Sequence, residues 1–415
     1  MNYNSLMKMR RIRHQRKKWI LIAFAVLLAI GLGFAIYSYL GGQKTTSEDV
    51  QEITTSENEE NGLEPGTEDK TIHLAMMGDM LAHDSVNYQA KTADGYDYKQ
   101  YFASIKSLYS DADIVFCNPE IPVAGDEYGV SGYPTFNAPS AFARDLVEGA
   151  GCNVVNLASN HQNDKGQSGI NASLEVWKGQ NLLAMSGMNS STEEQNKISY
   201  FTIKDVKFAF LAFADFSNAK LANSYSVNSY HNTELVQRLM AEANASAQVV
   251  LVSMHWGTED SNTVNADQKK MAQLLADSGA TIIIGTGPHV EQPAAWLKSN
   301  DERDVLVWYS IGNMLSSQLG INGLTSGVAA CDIQIVDGNV KVNNLSFSPT
   351  FMSYEWSVAD KAASNISARR NLKLRPLSET EPDIKAMFGD SYSVAERRSY
   401  LEKTLDAANA GITLK

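Results

Sequence analysis

The chain has 415 residues, 44% of them hydrophobic and 20% charged, enough apolar material for one large or two ordinary folded domains and too much for a wholly disordered chain. Its formal net charge is −12, yet residues 1–18 hold seven Lys/Arg and no acid, which leaves 28 basic against 47 acidic side chains in the rest. A body that acidic is a poor partner for nucleic acid, whose binding rests on neutralised phosphates.

Residues 1–18 read as a basic cytoplasmic tail. From Trp19 to Leu40 no residue is charged. A helix of that length rises about 1.5 Å per residue and spans a hydrocarbon layer of about 30 Å. Trp19 and the pair Tyr37 and Tyr39 mark its ends, where amphipathic rings favour the interface. Residues 19–41 are therefore expected to form a single transmembrane helix. The basic side stays in the cytoplasm and the remainder lies outside the cell membrane. A cleaved signal peptide is the alternative, but the apolar run is long and Ser38-Tyr39-Leu40-Gly41-Gly42 is a poor cleavage match. Residues 42–70 are acidic, rich in Ser and Thr and without apolar periodicity, which predicts a solvated, disordered linker.

From Thr71 onward, short apolar runs at 72–77, 113–117, 153–158, 207–213, 249–254, 281–284 and 305–309 read as strands buried on both faces. Helical patterns fall between them at 140–150, 168–178, 233–246 and 266–278. Residues 198–213, around Asp205, and 327–346, around Asp337-Gly338, predict hairpins. The core is thus expected to be α/β with mixed sheets. Ser393 and Glu396 have the spacing of a capping box before a final helix, whereas 347–392 give no clear pattern. Cys117, Cys152 and Cys331 are far apart in the chain with no CxxC, which argues against a disulfide framework or a zinc knuckle.

Polar groups gather where these strands end. The first strand runs into Gly78-Asp79 with His83 nearby, the second into Asn118-Pro119-Glu120, and the third into Asn160-His161 with Asp164 and Gly166 following. Later strands run into His255-Trp256-Gly257-Thr258-Glu259, into Gly285 to Gln292 with Pro288-His289, and into Ser310-Ile311-Gly312-Asn313. Singly, each is an ordinary turn or capping signal. Together they place four of the seven histidines beside carboxylates and amides at strand ends, where ligands bind in layered α/β folds. Such nitrogen and oxygen donors suit Zn, Mn or Fe rather than soft-thiolate chemistry.

The ordered set Gly-Asp, Asn-x-Glu, Asn-His-x-x-Asp-x-Gly, His-Trp-Gly-x-Glu, Gly-x-x-Pro-His-Val-x-Gln and Tyr-Ser-x-Gly-Asn, over roughly residues 71–316, resembles the CapA family. That family is linked to poly-γ-glutamate capsule synthesis or export, and its fold resembles the calcineurin-like metallophosphoesterases. The resemblance implies a layered α/β/β/α sandwich with mixed sheets over 71–346, with 347–415 as a C-terminal extension. It further implies one or two divalent metal ions on Asp79, Glu120, Asn160, His255 and His289. His161 and Asp79 would be catalytic, with His83, Asp164, Glu259 and Asn313 supporting the site. A capsule synthase in the membrane and an anionic polymer or phosphoester substrate are the implied partners. Alternatives are a non-catalytic scaffold of the same fold and a surface phosphatase unrelated to capsule. Two positions depart from the pattern. Gly287 stands where the family commonly has a histidine, and Leu81 replaces the histidine of the metallophosphoesterase Asp-x-His start.

Overall fold

The computed structural model describes residues 69–415. The basic tail, the expected membrane helix and all but the end of the linker lie outside the described residues. Among the described residues no helix is long and apolar enough to cross a membrane.

Apart from a short antiparallel pair at Lys91–Thr92 and Gly95–Tyr96, the first four strands, β1 (Lys70–Met80), β2 (Ile114–Pro119), β3 (Val154–Asn156) and β4 (Ala184–Ser186), lie side by side and parallel. The next six, β5 (Ser199–Ile203), β6 (Val206–Ala214), β7 (Val249–His255), β8 (Ile282–Thr286), β9 (Glu291–Lys298) and β10 (Asp304–Ile311), form a second sheet in the order β9-β10-β8-β7-β6-β5. Its centre is parallel and both edge strands are antiparallel. The chain then returns to the first sheet with β11 (Asn313–Leu315), β12 (Thr325–Val336), β13 (Asn339–Glu355), β14 (Arg370–Pro376) and β15 (Thr413–Leu414). Here β12 pairs antiparallel with β1, and β11 runs parallel to it. The fold is mixed α/β with mixed sheets.

Period-two alternation decides which way each side chain of β6 faces. Phe208, Phe210 and Ala212 join the core between the sheets, where Phe116 meets Phe210 edge-on at 6.2 Å. Ala209, Leu211 and Phe213 face the other way, onto Leu235, Leu239 and Met240 of the helix Thr233–Ser246 and Met271 and Leu275 of the helix Ala266–Asp277. Both hairpins form at the expected turns. Lys204 and Asp205 adopt φ of 49° and 58°, and Asp337 and Gly338 adopt 49° and 77°, the left-handed pairs that tight hairpins require.

Two features differ from the expectations. Cys117 and Cys152 form a disulfide, which their spacing argued against. Separation along the chain carries no information about distance in space: Cys117 lies in β2 and Cys152 just before its parallel neighbour β3, with their Cα atoms 5.7 Å apart. The segment after 346, patternless in sequence, forms regular structure. Strand β13 runs straight through that position, β14 pairs with it, and a helix follows at Glu381–Phe388, before the expected final helix, Val394–Thr404, which Ser393 caps.

Candidate metal centre

The parallel strands of both sheets end at one edge, and the candidate residues sit there. Asp79 is the second-last residue of β1, Glu120 follows β2, Asn160 and His161 follow β3, His255 ends β7, His289 follows β8 and Asn313 opens β11. The join between sheets is close. The Asp79 amide donates to the Gly312 carbonyl at 2.9 Å, and a Cβ on Gly78 would lie 1.9 Å from that oxygen, so only glycine fits.

Asp79, Glu120 and His289 are buried and offer ligand atoms that all lie within 4.8 Å of one another. His289 Nδ1 faces Asp79 Oδ2 at 3.1 Å, Asn313 Oδ1 at 3.1 Å and Glu120 Oε2 at 3.6 Å. The Asn313 amide nitrogen donates to Gln318 Oε1 at 2.8 Å and to the Gly323 carbonyl at 2.9 Å, which turns its oxygen toward His289. On the other side, His255 Nε2 lies 3.7 Å from Glu120 Oε1 and 3.1 Å from Asn160 Oδ1. Its Nδ1 meets Thr286 Oγ1 at 3.1 Å, a contact that fixes the ring. Glu120 thus stands between two donor groups. One holds Asp79, His289 and Asn313, and the other holds His255 and Asn160.

Two observations test whether this set fits a cation. Both Glu120 carboxylate oxygens are buried without a hydrogen-bond partner, an arrangement that costs free energy unless a positive charge meets it. Burial pushes the Glu120 carboxyl well above its usual range, and the negative charge of Asp79 adds to this against the opposing charge of His289. Burial alone would lower His289, but Glu120 and Asp79 overcome it and raise the imidazole to about 10. Burial also opposes ionisation of Asp79, yet the His289 hydrogen bond and charge, with His255 and Asn118, hold it below the ordinary range. The buried acidic groups that raise His289 favour positive charge in the pocket. His255, which burial lowers to about 4, is neutral and available as a nitrogen donor. The residues fit a divalent cation.

His161 lies beside this cluster rather than within it. Its Nδ1 bonds Asp164 Oδ2 at 2.8 Å, its ring packs edge-on against Phe136 at 4.7 Å, and its Nε2 faces Asn218 Nδ2 at 3.2 Å. Glu259 is exposed and acts on Glu120 and His289 through charge alone. His83 is set apart from the cluster, with its ring 5.5 Å from Phe136 and its Nδ1 accepting from the Ser317 amide at 3.4 Å.

Sequence reasoning gave no role to several residues that shape the site. Asn118 donates to Asp79 Oδ1 at 2.6 Å and is itself held by Asn156 at 2.8 Å. Its place in the Asn-x-Glu motif was the available signal. Thr286 and Asn218 carried none, because their roles come from strand register and from a long loop after β6.

The sequence model of the family described as "Bacterial capsule synthesis protein PGA_cap" matches residues 73–318, more than half of the chain. PGA biosynthesis protein CapA of Bacillus subtilis (strain 168) is 26% identical over 253 residues, covering 60% of this chain and 64% of its own length. Capsule biosynthesis protein CapA of Bacillus anthracis is 26% identical over 260 residues, covering 60% and 61%. The chain therefore spans less than two thirds of the length of the curated relatives it matches. Solved structures of a novel phosphatase from Mycoplasma pneumoniae and a hypothetical protein from Thermus thermophilus each superpose with a TM-score of 0.40. They are 16% and 15% identical, over 68% and 67% of this chain and 93% and 98% of theirs. With its matching segment spanning every strand end that carries a candidate ligand, the chain belongs to the bacterial capsule synthesis (PGA_cap) family.

Proposed function

We propose that this protein is a membrane-anchored, extracytoplasmic, metal-dependent hydrolase of phosphoesterase type that serves synthesis or export of a poly-γ-glutamate-like surface polymer. The observation that carries the reading is the buried, unpartnered Glu120 carboxylate between the two donor groups. One or two divalent ions of the Mn, Zn or Fe class would supply Lewis acidity and an activated water there. Asp79, Glu120, Asn160, His255 and His289 would hold them. Asp164 engages His161 Nδ1, so Nε2, which faces Asn218 Nδ2 at 3.2 Å, would be the atom to exchange a proton with a leaving group that takes the place of Asn218. Support for the outer location comes from the basic tail before the apolar run and from the Cys117–Cys152 bond, which suits an oxidising compartment. Membrane subunits of a polymer synthase are the proposed partners.

A second reading, a non-catalytic scaffold of such a synthase, is favoured by Gly287 at a family ligand position. Metal analysis of the full-length chain in detergent, with p-nitrophenyl phosphate and bis-p-nitrophenyl phosphate assays under Mn²⁺ and Zn²⁺, separates the two. Bound metal and turnover, both lost in Asp79→Ala and His255→Ala, are expected. Bound metal without turnover on either ester selects the scaffold, and no bound metal defeats both the hydrolase and the shared site. Protease shaving of intact cells tests orientation, since a body protected from protease sinks the outside assignment.

A further inference from the structure

Arg369, immediately before β14, lies outside the segment that matches the family, yet it lines one cavity with His83 and Val290 of that segment. Its side chain is buried, with 4% exposure. Nε donates to the Ile366 carbonyl at 2.7 Å, and the guanidinium lies 5.3 Å from the Tyr354 ring centroid and 5.9 Å from that of Trp356. The aromatic faces compensate part of the lost hydration. Nη1 remains buried without a partner, and among the described residues no carboxylate forms a salt bridge with the group. A buried cation left so is costly unless an anion completes it.

The space in front of Arg369 is a cavity of about 600 Å³ whose lining includes His83, Val290, Ser317, Gln318 and Asp260. Val290 follows the ligand-set residue His289 directly, so the cavity adjoins the metal centre. His83, in the cavity wall, feels both sides: burial first, then the charges of Arg369 and of His289, lower its pKa to about 3. The cavity walls are also unusually apolar at the surface. Tyr133, Leu319 and Ile366, exposed by 70%, 49% and 45%, all line it, and they are three of the six large apolar side chains exposed among the described residues.

We propose that Arg369 is an oxyanion-binding residue, supplied by the C-terminal extension, that holds a carboxylate or phosphate group of the substrate in the cavity beside the metal centre. The planar guanidinium fork matches either oxyanion. The apolar walls match the methylene stretches of an acidic polymer, which point to carboxylate as the source. Arg369 also offers a polyanion local positive charge on a body that is otherwise strongly acidic. The inference rests on the reading of the neighbouring cluster as the substrate-processing site.

Isothermal titration of the full-length chain in detergent tests it, with a γ-linked glutamate pentamer and inorganic phosphate as separate probes, each with Mn²⁺ and with EDTA. At least one probe is expected to bind, and Arg369→Met to weaken that binding tenfold or more while Mn²⁺ content and melting temperature stay unchanged. Arg369→Lys, which keeps the charge but not the fork, is expected to fold and to weaken binding by a smaller factor. Pentamer binding without phosphate binding assigns the group to carboxylate, and the reverse assigns it to phosphate. Failure of both probes to bind the unmodified chain, or equal binding by it and the Arg369 variants, overturns the proposal. If the chain takes up no Mn²⁺ even when it is supplied, yet still binds a probe through Arg369, the hydrolase reading fails and this one stands.

Discussion

The backbone amide of Gly287 donates to both carboxylate oxygens of Asp79, at 3.2 and 3.1 Å. The position where the family resemblance places a histidine ligand thus serves here through its main chain. Gly287 has φ of +105°, and a Cβ on it would lie 2.9 Å from the Trp256 carbonyl and 3.2 Å from His255 Nε2. Gly287→His is therefore expected to displace His255 instead of adding a ligand, lowering Mn²⁺ content and costing about 1–3 kcal/mol of stability. Metal analysis together with a denaturant melt checks both. Higher metal occupancy in the variant would show that the site had room for the missing ligand.

Asp164 accepts from two donors, His161 Nδ1 and the Phe136 amide, each at 2.8 Å. Both bonds fall on the same oxygen, Oδ2, so asparagine at 164 can keep them while removing the negative charge beside the imidazole. On a phosphoester that the protein hydrolyses, Asp164→Asn is expected to lower kcat on the order of tenfold to a hundredfold with KM and metal content unchanged. An unaltered kcat would remove His161 from proton transfer.

How much of this could be read from the sequence follows from what each signal encodes. Strand interiors such as 249–254 and 305–309 are legible because burial on both faces leaves a continuous apolar run. The ligand-bearing loops are legible because polar residues directly after such runs must lie at the sheet edge. What was illegible depends on three-dimensional register. The disulfide partners are 35 residues apart, and nothing local marks them as neighbours. Asn313 faces His289 only because β10 and β11 turn the chain back beside β1. Arg369 gave no signal, since a single Arg in a patternless stretch looks like a solvated surface residue until Tyr354 and Trp356 are seen to cover it.

Cys117 lies one residue before Asn118, which holds Asp79, and three before Glu120. Its bond to Cys152 closes a loop of 35 residues and restricts the unfolded chain. By chain entropy this is worth about 4 kcal/mol, an upper figure where native strain intervenes. The double variant Cys117→Ser/Cys152→Ser is expected to lose about 2–4 kcal/mol in guanidinium unfolding. Reductant is expected to bring the unmodified chain down to the same midpoint. Insensitivity of the unmodified chain to reductant under unfolding conditions would mean that the bond does not form.

Glu291 carries the opposite problem from Glu120: its carboxylate oxygens are also buried and unpartnered, but it faces Gly312 and lies outside the ligand set. Burial pushes its carboxyl well above the ordinary range, and its own backbone amide, Arg397 and Tyr400 offset this only in part. The folded state therefore keeps a proton that the unfolded chain releases at about pH 4.3. Above that pH the folded form binds more protons than the unfolded one, so this group's contribution falls as pH rises toward its folded pKa. The slope is about 1.4 kcal/mol per pH unit. Glu291→Gln is neutral at every pH and removes that slope. The variant is expected to match the unmodified chain near pH 4 and to exceed it in stability at pH 8, as read from guanidinium midpoints of the two proteins side by side. Parallel pH profiles for the two would show that Glu291 ionises freely in the fold, which a fully buried carboxyl without a partner does not do.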